Sequence, residues 1–153
     1  MDPVFRAAPV TDPDAQLLLT EYFAMRAAGF DPAAGGYRTV FPDPARFVPP
    51  AGLFVLVETD DAVVGCGGFR MLDAARAEVK HLYLRDAVRG RGWGGLLLAE
   101  LERQATALGA TDAVLDTNAD LEAAGRLYRA AGYREIEPYN DNPNATLWFR
   151  KEL

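Results

Sequence analysis

The segment Arg89-Gly90-Arg91-Gly92-Trp93-Gly94-Gly95 combines residue types that suit one task, the holding of a phosphate. Glycines let an anion approach the main chain closely. Where such a turn opens a helix, free N–H groups and the positive end of the helix dipole converge on the same point. The pattern places a strand before this segment and a helix after it, so phosphate binding is the expectation. A P-loop would require Gly-Lys-Ser/Thr, which is missing here. Gly90, Gly92 and Gly95 fit the spacing of a dinucleotide turn, with Asp112 or Asp116 as its acid. A preceding hairpin and the lack of an N-terminal βαβ unit argue against that use.

Tyr128 carries a phenol able to donate a proton, and Glu78 and His81 lie in one strand as proton acceptors. Strict alternation puts Glu78 and Lys80 on the face opposite Val79, His81 and Tyr83. Glu78 and His81 are then not expected to reach one site unless a bulge intervenes. Cys66 sits mid-strand among Gly65, Gly67 and Gly68 without an activating partner. With a single cysteine and a single histidine, neither an internal disulfide nor a zinc site of the usual kind is expected.

These residues need elements to position them. Val4-Phe5-Arg6-Ala7 reads as a first strand, and Thr11-Asp12-Pro13 as a helix cap with proline in the first turn. A helix follows from about Asp14 to Ala28, with Leu18, Tyr22, Met25 and Ala28 at helical spacing and Gly29 at its end. Residues 30–50 suggest a loop with one short helix near Pro44 to Phe47. Leu53 to Thr59 and Ala62 to Met71 form a hairpin around Asp60-Asp61, and Glu78 to Leu84 a further strand. The helix opened near Gly92 buries Leu97, Leu101 and Leu108 and stops at Gly109. Ala113 to Asp116 is a short central strand. Asp120 is the expected cap of a helix whose Leu121, Ala124, Leu127 and Ala131 share a face, ending at Gly132. Strands near Tyr133-Ile136 and Thr146-Lys151 flank a turn-rich loop, Pro138 to Pro143. The order β-α-β-β-β-α-β-α-β-β is that of a mixed α+β sheet with helices on its faces.

A chain of 153 residues, half of them apolar, suits one domain spanning 1–153. No apolar run reaches the length of a membrane span, and the N-terminus lacks the layout of a signal peptide, so no membrane partner and a cytoplasmic location are expected. A net charge of -6 argues against a nucleic-acid partner, which needs a basic face.

Arg89-x-x-Gly92-x-Gly94 resembles the acyl-CoA signature of the GNAT superfamily of N-acetyltransferases. Three further stretches are similar to that family in the right order: Glu78 to Leu84 to its strand four, Leu115-Asp116-Thr117-Asn118 to its strand five, and Leu127 to Tyr133 to its L-Y-x-x-x-G-F/Y element. The resemblance implies a central, mostly antiparallel twisted sheet with strands four and five splayed, flanked by helices. It implies acetyl-CoA as cosubstrate and no metal. Backbone groups of Leu82 and Leu84 would bind the pantetheine arm, and the amides from Arg91 to Gly95 would cradle the pyrophosphate, with Arg89 and Arg91 as charged contacts. Trp93 stands where the family usually has a smaller aliphatic residue, and reads as packing or as a contact to the cofactor. Asn118 is similar to the family asparagine that bonds the cofactor arm, with a helix cap as its other reading. Tyr128 matches the common general acid. Glu78 is the first candidate base, and His81 the alternative.

The implied function is transfer of an acetyl group to a primary amine, of a small polar molecule, by direct attack in a ternary complex. A non-catalytic acyl-CoA sensor and an interaction domain of the same fold are the other readings. Tyr139, Asn140, Asp141 and Asn142, with Tyr37 and Arg38, are either acceptor walls or ordinary turn residues. Trp148 and Phe149 leave a homodimer interface and a core position both open.

Overall fold

Near-continuous buried runs, as in Gly52–Thr59 and Ala62–Met71, account for the centre of the sheet, and interruptions in strand pairing account for the site. The computed structural model describes residues 2–60 and 62–153. The strands are β1 (Val4–Ala7), β2 (Gly52–Thr59), β3 (Ala62–Met71), β4 (Arg76–Leu84), β5 (Asp112–Thr117), β6 (Arg134–Ile136) and β7 (Leu147–Glu152), and the helices α1 (Pro13–Gly29), α2 (Trp93–Ala107) and α3 (Glu122–Ala130). The strands form one sheet in the order β1-β2-β3-β4-β5-β7-β6. Neighbours are antiparallel except β4 and β5, which run parallel. The expected element order is observed throughout. Asp61, half of the expected hairpin turn, lies outside the described residues, while Asp60 is left-handed at φ 48°.

The sheet is covered on both faces. Helix α1 starts where Asp12 accepts the Asp14 amide at 2.8 Å, with Pro13 supplying a φ already suited to a first turn. It buries Ala15, Leu18, Leu19 and Phe23 with Phe54 and Leu56 of β2. The buried stripe is thus rotated from the expected one: Tyr22 and Met25 line a cavity and Ala28 is exposed. Helix α2 lays Trp93, Leu97, Leu98, Leu101 and Ala105 on the other face, against Val55, Val57 and Leu115. Burying apolar surface at roughly 25 cal/mol per Å² makes these two clusters the main support of the fold.

Two irregularities open the sheet at its centre. β4 and β5 pair only from Arg76↔Asp112 to Glu78↔Val114. Beyond that, β4 follows β3 to Leu84 and β5 follows β7 to Thr117, so the two strands diverge. Within β4 the register on β3 moves from Gly68↔Lys80 to Cys66↔Tyr83, a bulge in which His81 takes φ 63°. The extra residue reverses the side-chain parity. Ala77 and Val79 face the α2 cluster before it, Leu82 and Leu84 after it, while His81 and Tyr83 pack towards α1. The expectation that His81 and Tyr83 lie opposite Glu78 and Lys80 therefore fails, because alternation does not survive an inserted residue.

One capping expectation also fails. Asp120 does not cap α3; Leu121 holds the cap position without a side-chain hydrogen bond. Asn118 makes the preceding turn instead, accepting the Asp120 amide at 3.0 Å through its side chain and the Leu121 amide at 2.9 Å through its carbonyl. The loop before β2 contains two short 3-10 turns, Pro32–Ala34 and Pro44–Arg46, where one was expected.

Candidate functional site

A cavity of about 860 Å³ runs from the glycine turn at the head of α2 into the gap between β4 and β5, and on to the inner face of α1. Its first part is built from main chain. After β4 a 3-10 turn, Asp86–Val88, is anchored by the buried Val88, and Trp93 is buried at the start of α2. Between these anchors Gly90 and Gly92 are left-handed, at φ 77° and 79°. A methyl group added at Gly90, Gly92 or Gly95 would meet nothing within 4 Å, so the space above the turn is open. The amides of Trp93, Gly94 and Gly95 begin the helix and have no carbonyl a turn earlier to bond. Trp93 is a packing residue here: its ring joins the α2 cluster, with the Arg91 guanidinium 5.4 Å above it. Arg89 is tied locally, donating Nε to the Leu84 carbonyl at 2.8 Å and pairing with Asp86 at 2.6 Å.

The second part is an unfilled strand position. The Arg85 amide bonds Val64 of β3. Because successive residues present their backbone groups to opposite edges, those of Leu84 and Leu82 face the gap. Their side chains pack against the α2 cluster. Tyr128 of α3 lines the same gap at 8% exposure, its ring against Tyr133 and Phe149, and its phenol has no hydrogen-bond partner among the described residues. Burial first, with Tyr22 and Asp116 adding to it and Arg26 opposing, holds that phenol well above its ordinary value of 10. It is a hydrogen-bond donor at neutral pH.

The third part lies between α1 and the loops before β2 and after β6. Asp116 on β5 points into it, its side chain 7% exposed. Asn140 donates to one Asp116 oxygen at 2.7 Å, Asn142 to the other at 3.1 Å, and Lys80 Nζ lies at 3.9 Å. Asn144 clasps the main chain of Arg38, accepting its amide at 2.9 Å and donating to its carbonyl at 2.7 Å. The two loops are thereby locked together. Among the described residues no group of three His, Cys, Asp or Glu is placed to hold a metal.

With this geometry in view, comparison with known proteins is decisive. The Acetyltransferase (GNAT) family profile matches residues 17–133. The chain belongs to that family. An uncharacterised N-acetyltransferase of Schizosaccharomyces pombe is 31% identical over 133 residues, covering 85% of this chain and 80% of the relative. Among solved structures, a putative acyl-CoA N-acyltransferase from Klebsiella pneumoniae superposes with a TM-score of 0.80 at 22% identity, covering 99% of this chain and 97% of that one. PaiA N-acetyltransferase from Thermoplasma acidophilum, in complex with coenzyme A, does so at 0.77 and 16%, covering all of both chains. The protein is an N-acetyltransferase with the fold of these neighbours.

The residues singled out in the sequence of this N-acetyltransferase are distributed unevenly over the site. Leu82, Leu84, Arg89, Gly94 and Tyr128 line the cavity. Arg91, Gly92, Trp93 and Gly95 belong to the same turn as Gly94 but do not themselves line the cavity, and the Trp93 ring is buried. Asn118 is engaged in the turn before α3 and donates to the Asn144 carbonyl at 3.3 Å. Glu78 is 1% exposed and does not line the cavity. Arg70 occupies one of its oxygens at 2.8 Å, and Tyr139 and Asn140 the other at 2.7 and 3.4 Å. His81 lines the cavity, with its ring among Tyr22, Phe23 and Phe47. Burial first, then the charges of Lys80, Arg70 and Arg26, push it down to about 3, so it is neutral at pH 7 and a weak base. Cys66 is fully buried, its thiol donates to the His81 carbonyl at 3.5 Å, and burial raises its pKa far above the usual range.

Two residues of this site were missed in the sequence, Asp116 and Arg26. Parity was the available signal for the first. Ala113 and Leu115 belong to the α2 cluster, so Asp116 had to point to the other face of a central strand. Arg26 is one helical turn past Tyr22, on the face of α1 that the rotated stripe leaves to the cavity.

Proposed function

We propose that this N-acetyltransferase takes acetyl-CoA as its donor and acetylates the primary amine of a small polar molecule, by direct attack with both substrates bound. One observation carries the reading: a single cavity joins the open amides at the head of α2, the edge of β4 from which β5 has diverged, the Tyr128 phenol and the Asp116 carboxylate. The residues fit the cosubstrate. The glycine turn leaves room for a pyrophosphate against the amides of Trp93, Gly94 and Gly95, with Arg91 free to reach it. The edge at Leu82 and Leu84 suits an extended pantetheine arm, which would pair there like an added strand. The coenzyme A held by the Thermoplasma neighbour supports this reading.

Bound acetyl-CoA would supply a thioester carbonyl open to attack. The amine must be neutral to attack it; of the carboxylates that line the cavity, Asp116 is the one on β5 beside the gap, so it receives the ammonium proton. The N–C bond forms, the C–S bond breaks, the leaving sulfur takes its proton from Tyr128, and the second proton shed by the nitrogen restores the phenol. Glu78 acts at one remove, fixing Tyr139 and Asn140, the latter of which orients Asp116. Cys66, buried and protonated, favours direct attack over an acyl-enzyme.

Gly95→Glu tests the cradle without disturbing the fold. The residue is the third of α2, where a glutamate side chain bends back onto the free amides at the helix start, while replacing glycine raises helix propensity. The melting temperature is expected to hold or rise, and the affinity for acetyl-CoA in a calorimetric titration to drop about tenfold or more. Undiminished affinity would remove the phosphate cradle from the reading.

A further inference from the structure

We infer that the acceptor is an amino acid: its amine lies at Asp116, its carboxylate against Arg26 and Arg38, and its apolar side chain against the aromatic wall beside them. This rests on the amine-acetylation reading above and names the substrate class of that same site.

Charge pairing carries the argument. Four cations line this end of the cavity: Arg26, Arg38, Arg70 and Lys80. Arg70 is matched by Glu78 at 2.8 Å and Lys80 by Asp116 at 3.9 Å. Arg26 and Arg38 form no ion pair among the described residues. Asp43, on the rim, uses one oxygen to accept the Ala45 amide, and Asp120 and Glu122 line the cavity at the start of α3. In a chain of net charge -6, carboxylates to neutralise two guanidinium groups are plentiful. Leaving both unmatched in a cavity makes a seat for an anion.

The seat is also held in place. Arg26 donates to the Tyr22 hydroxyl at 3.1 Å and lies 5.1 Å from the Tyr37 ring centroid, which fixes its plane while most of its five N–H donors stay free. The main chain of Arg38 is pinned by Asn144. Arg26, Asp116 and Tyr128 line the one cavity together with Tyr22 and Tyr37, so cation, carboxylate and the proton donor face one space. The wall beside it is aromatic: Phe23 packs on Phe41 at 4.9 Å and on Tyr37 at 6.3 Å. A free amine without an acid group would leave both arginines unanswered, and a highly polar side chain would meet these rings.

Calorimetric titration of the CoA-saturated protein with L-phenylalanine and with 2-phenylethylamine, its counterpart without the carboxylate, is the test. Wild type is expected to bind phenylalanine about tenfold tighter or more, and Arg26→Gln/Arg38→Gln to bring the two within about twofold. An unchanged melting temperature would show that the double variant is folded. Equal or tighter binding of 2-phenylethylamine by wild type would overturn the proposal, as would a preference that survives the double substitution or no binding of either compound. The donor reading is judged separately by titration with acetyl-CoA. It can stand if the anion seat fails, and repeating the paired titrations without CoA judges the seat if the donor reading fails.

Discussion

Tyr128 shows how little a side chain can contribute to the fold while being central to the proposed chemistry. Its ring is packed between Tyr133 and Phe149, yet its hydroxyl makes no hydrogen bond within the described residues. Tyr128→Phe keeps the ring and removes only the proton donor. Stability is expected to change by less than about 1 kcal/mol, because no internal hydrogen bond is lost. Acetyl-CoA affinity should hold, and kcat should fall by about two orders of magnitude, the usual weight of a general acid. Urea unfolding and thiol-release kinetics on one preparation check both halves, and an unaltered kcat would remove Tyr128 from the mechanism. The position of Tyr128 at the cavity was legible in the sequence because a local motif marks it. Asp116 and Arg26 carry no such mark: what makes each part of the site is a partner remote in sequence, Asn140 and Asn142 for the first and Tyr37 for the second. That Glu78 lies outside the cavity was hidden for the same reason, since its enclosure by Arg70, Tyr139 and Asn140 depends on a cross-strand neighbour and a distant loop.

At the scale of the element, strand β4 departs most from what its own residues announce. Alternation along Glu78 to Leu84 is regular on paper, and only the left-handed His81 breaks it. That break turns Leu82 and Leu84 towards α2 and leaves their backbone groups to the gap. Glycines in β3 admit it: a Cβ at Gly67 would come within 3.0 Å of Leu82, and one at Gly65 within 2.5 Å of the Tyr83 carbonyl. The element order and helix ends were legible because Asp12, Gly109 and Gly132 act locally, whereas a bulge is a relation between two strands. His81→Val and His81→Asn separate backbone from packing. Valine suits the aromatic surroundings better, but a β-branched residue resists a positive φ, which asparagine tolerates. His81→Val is expected to be less stable than His81→Asn by about 1–2 kcal/mol in urea unfolding, and to bind acetyl-CoA more weakly. Equal stability, or a more stable valine variant, would show that the bulge does not depend on this conformation.

For the molecule as a whole, the sheet is two half-sheets that part at the site, and what holds them at the closed end sets the opening. Asp112 stands there at 6% exposure, where β4 and β5 first pair. Arg76 reaches it from β4 at 2.8 Å and Arg150 from β7 at 2.7 Å, so one carboxylate joins three strands. Burial pushes its pKa up, but hydrogen bonds and charge from Arg76 and Arg150 outweigh that and leave it below its ordinary value of 3.8. The unfolded chain therefore takes up this proton at a higher pH than the folded one. The stabilisation is complete above the unfolded pKa, and is lost as pH falls through the lower, folded value. Asp112→Asn removes the charge at constant shape. Because both arginines keep partial contact with water, at 34% and 25% exposure, the loss at pH 7 is expected to be about 2 kcal/mol rather than the larger cost of stranding fully buried ions. In urea unfolding the gap between wild type and variant should be widest at neutral pH and narrow below about pH 4, where the carboxyl of the unfolded wild-type chain begins to protonate while the folded one still resists it. A gap that persists undiminished in acid would show that Asp112 joins the strands by shape and hydrogen bonding, not by its charge.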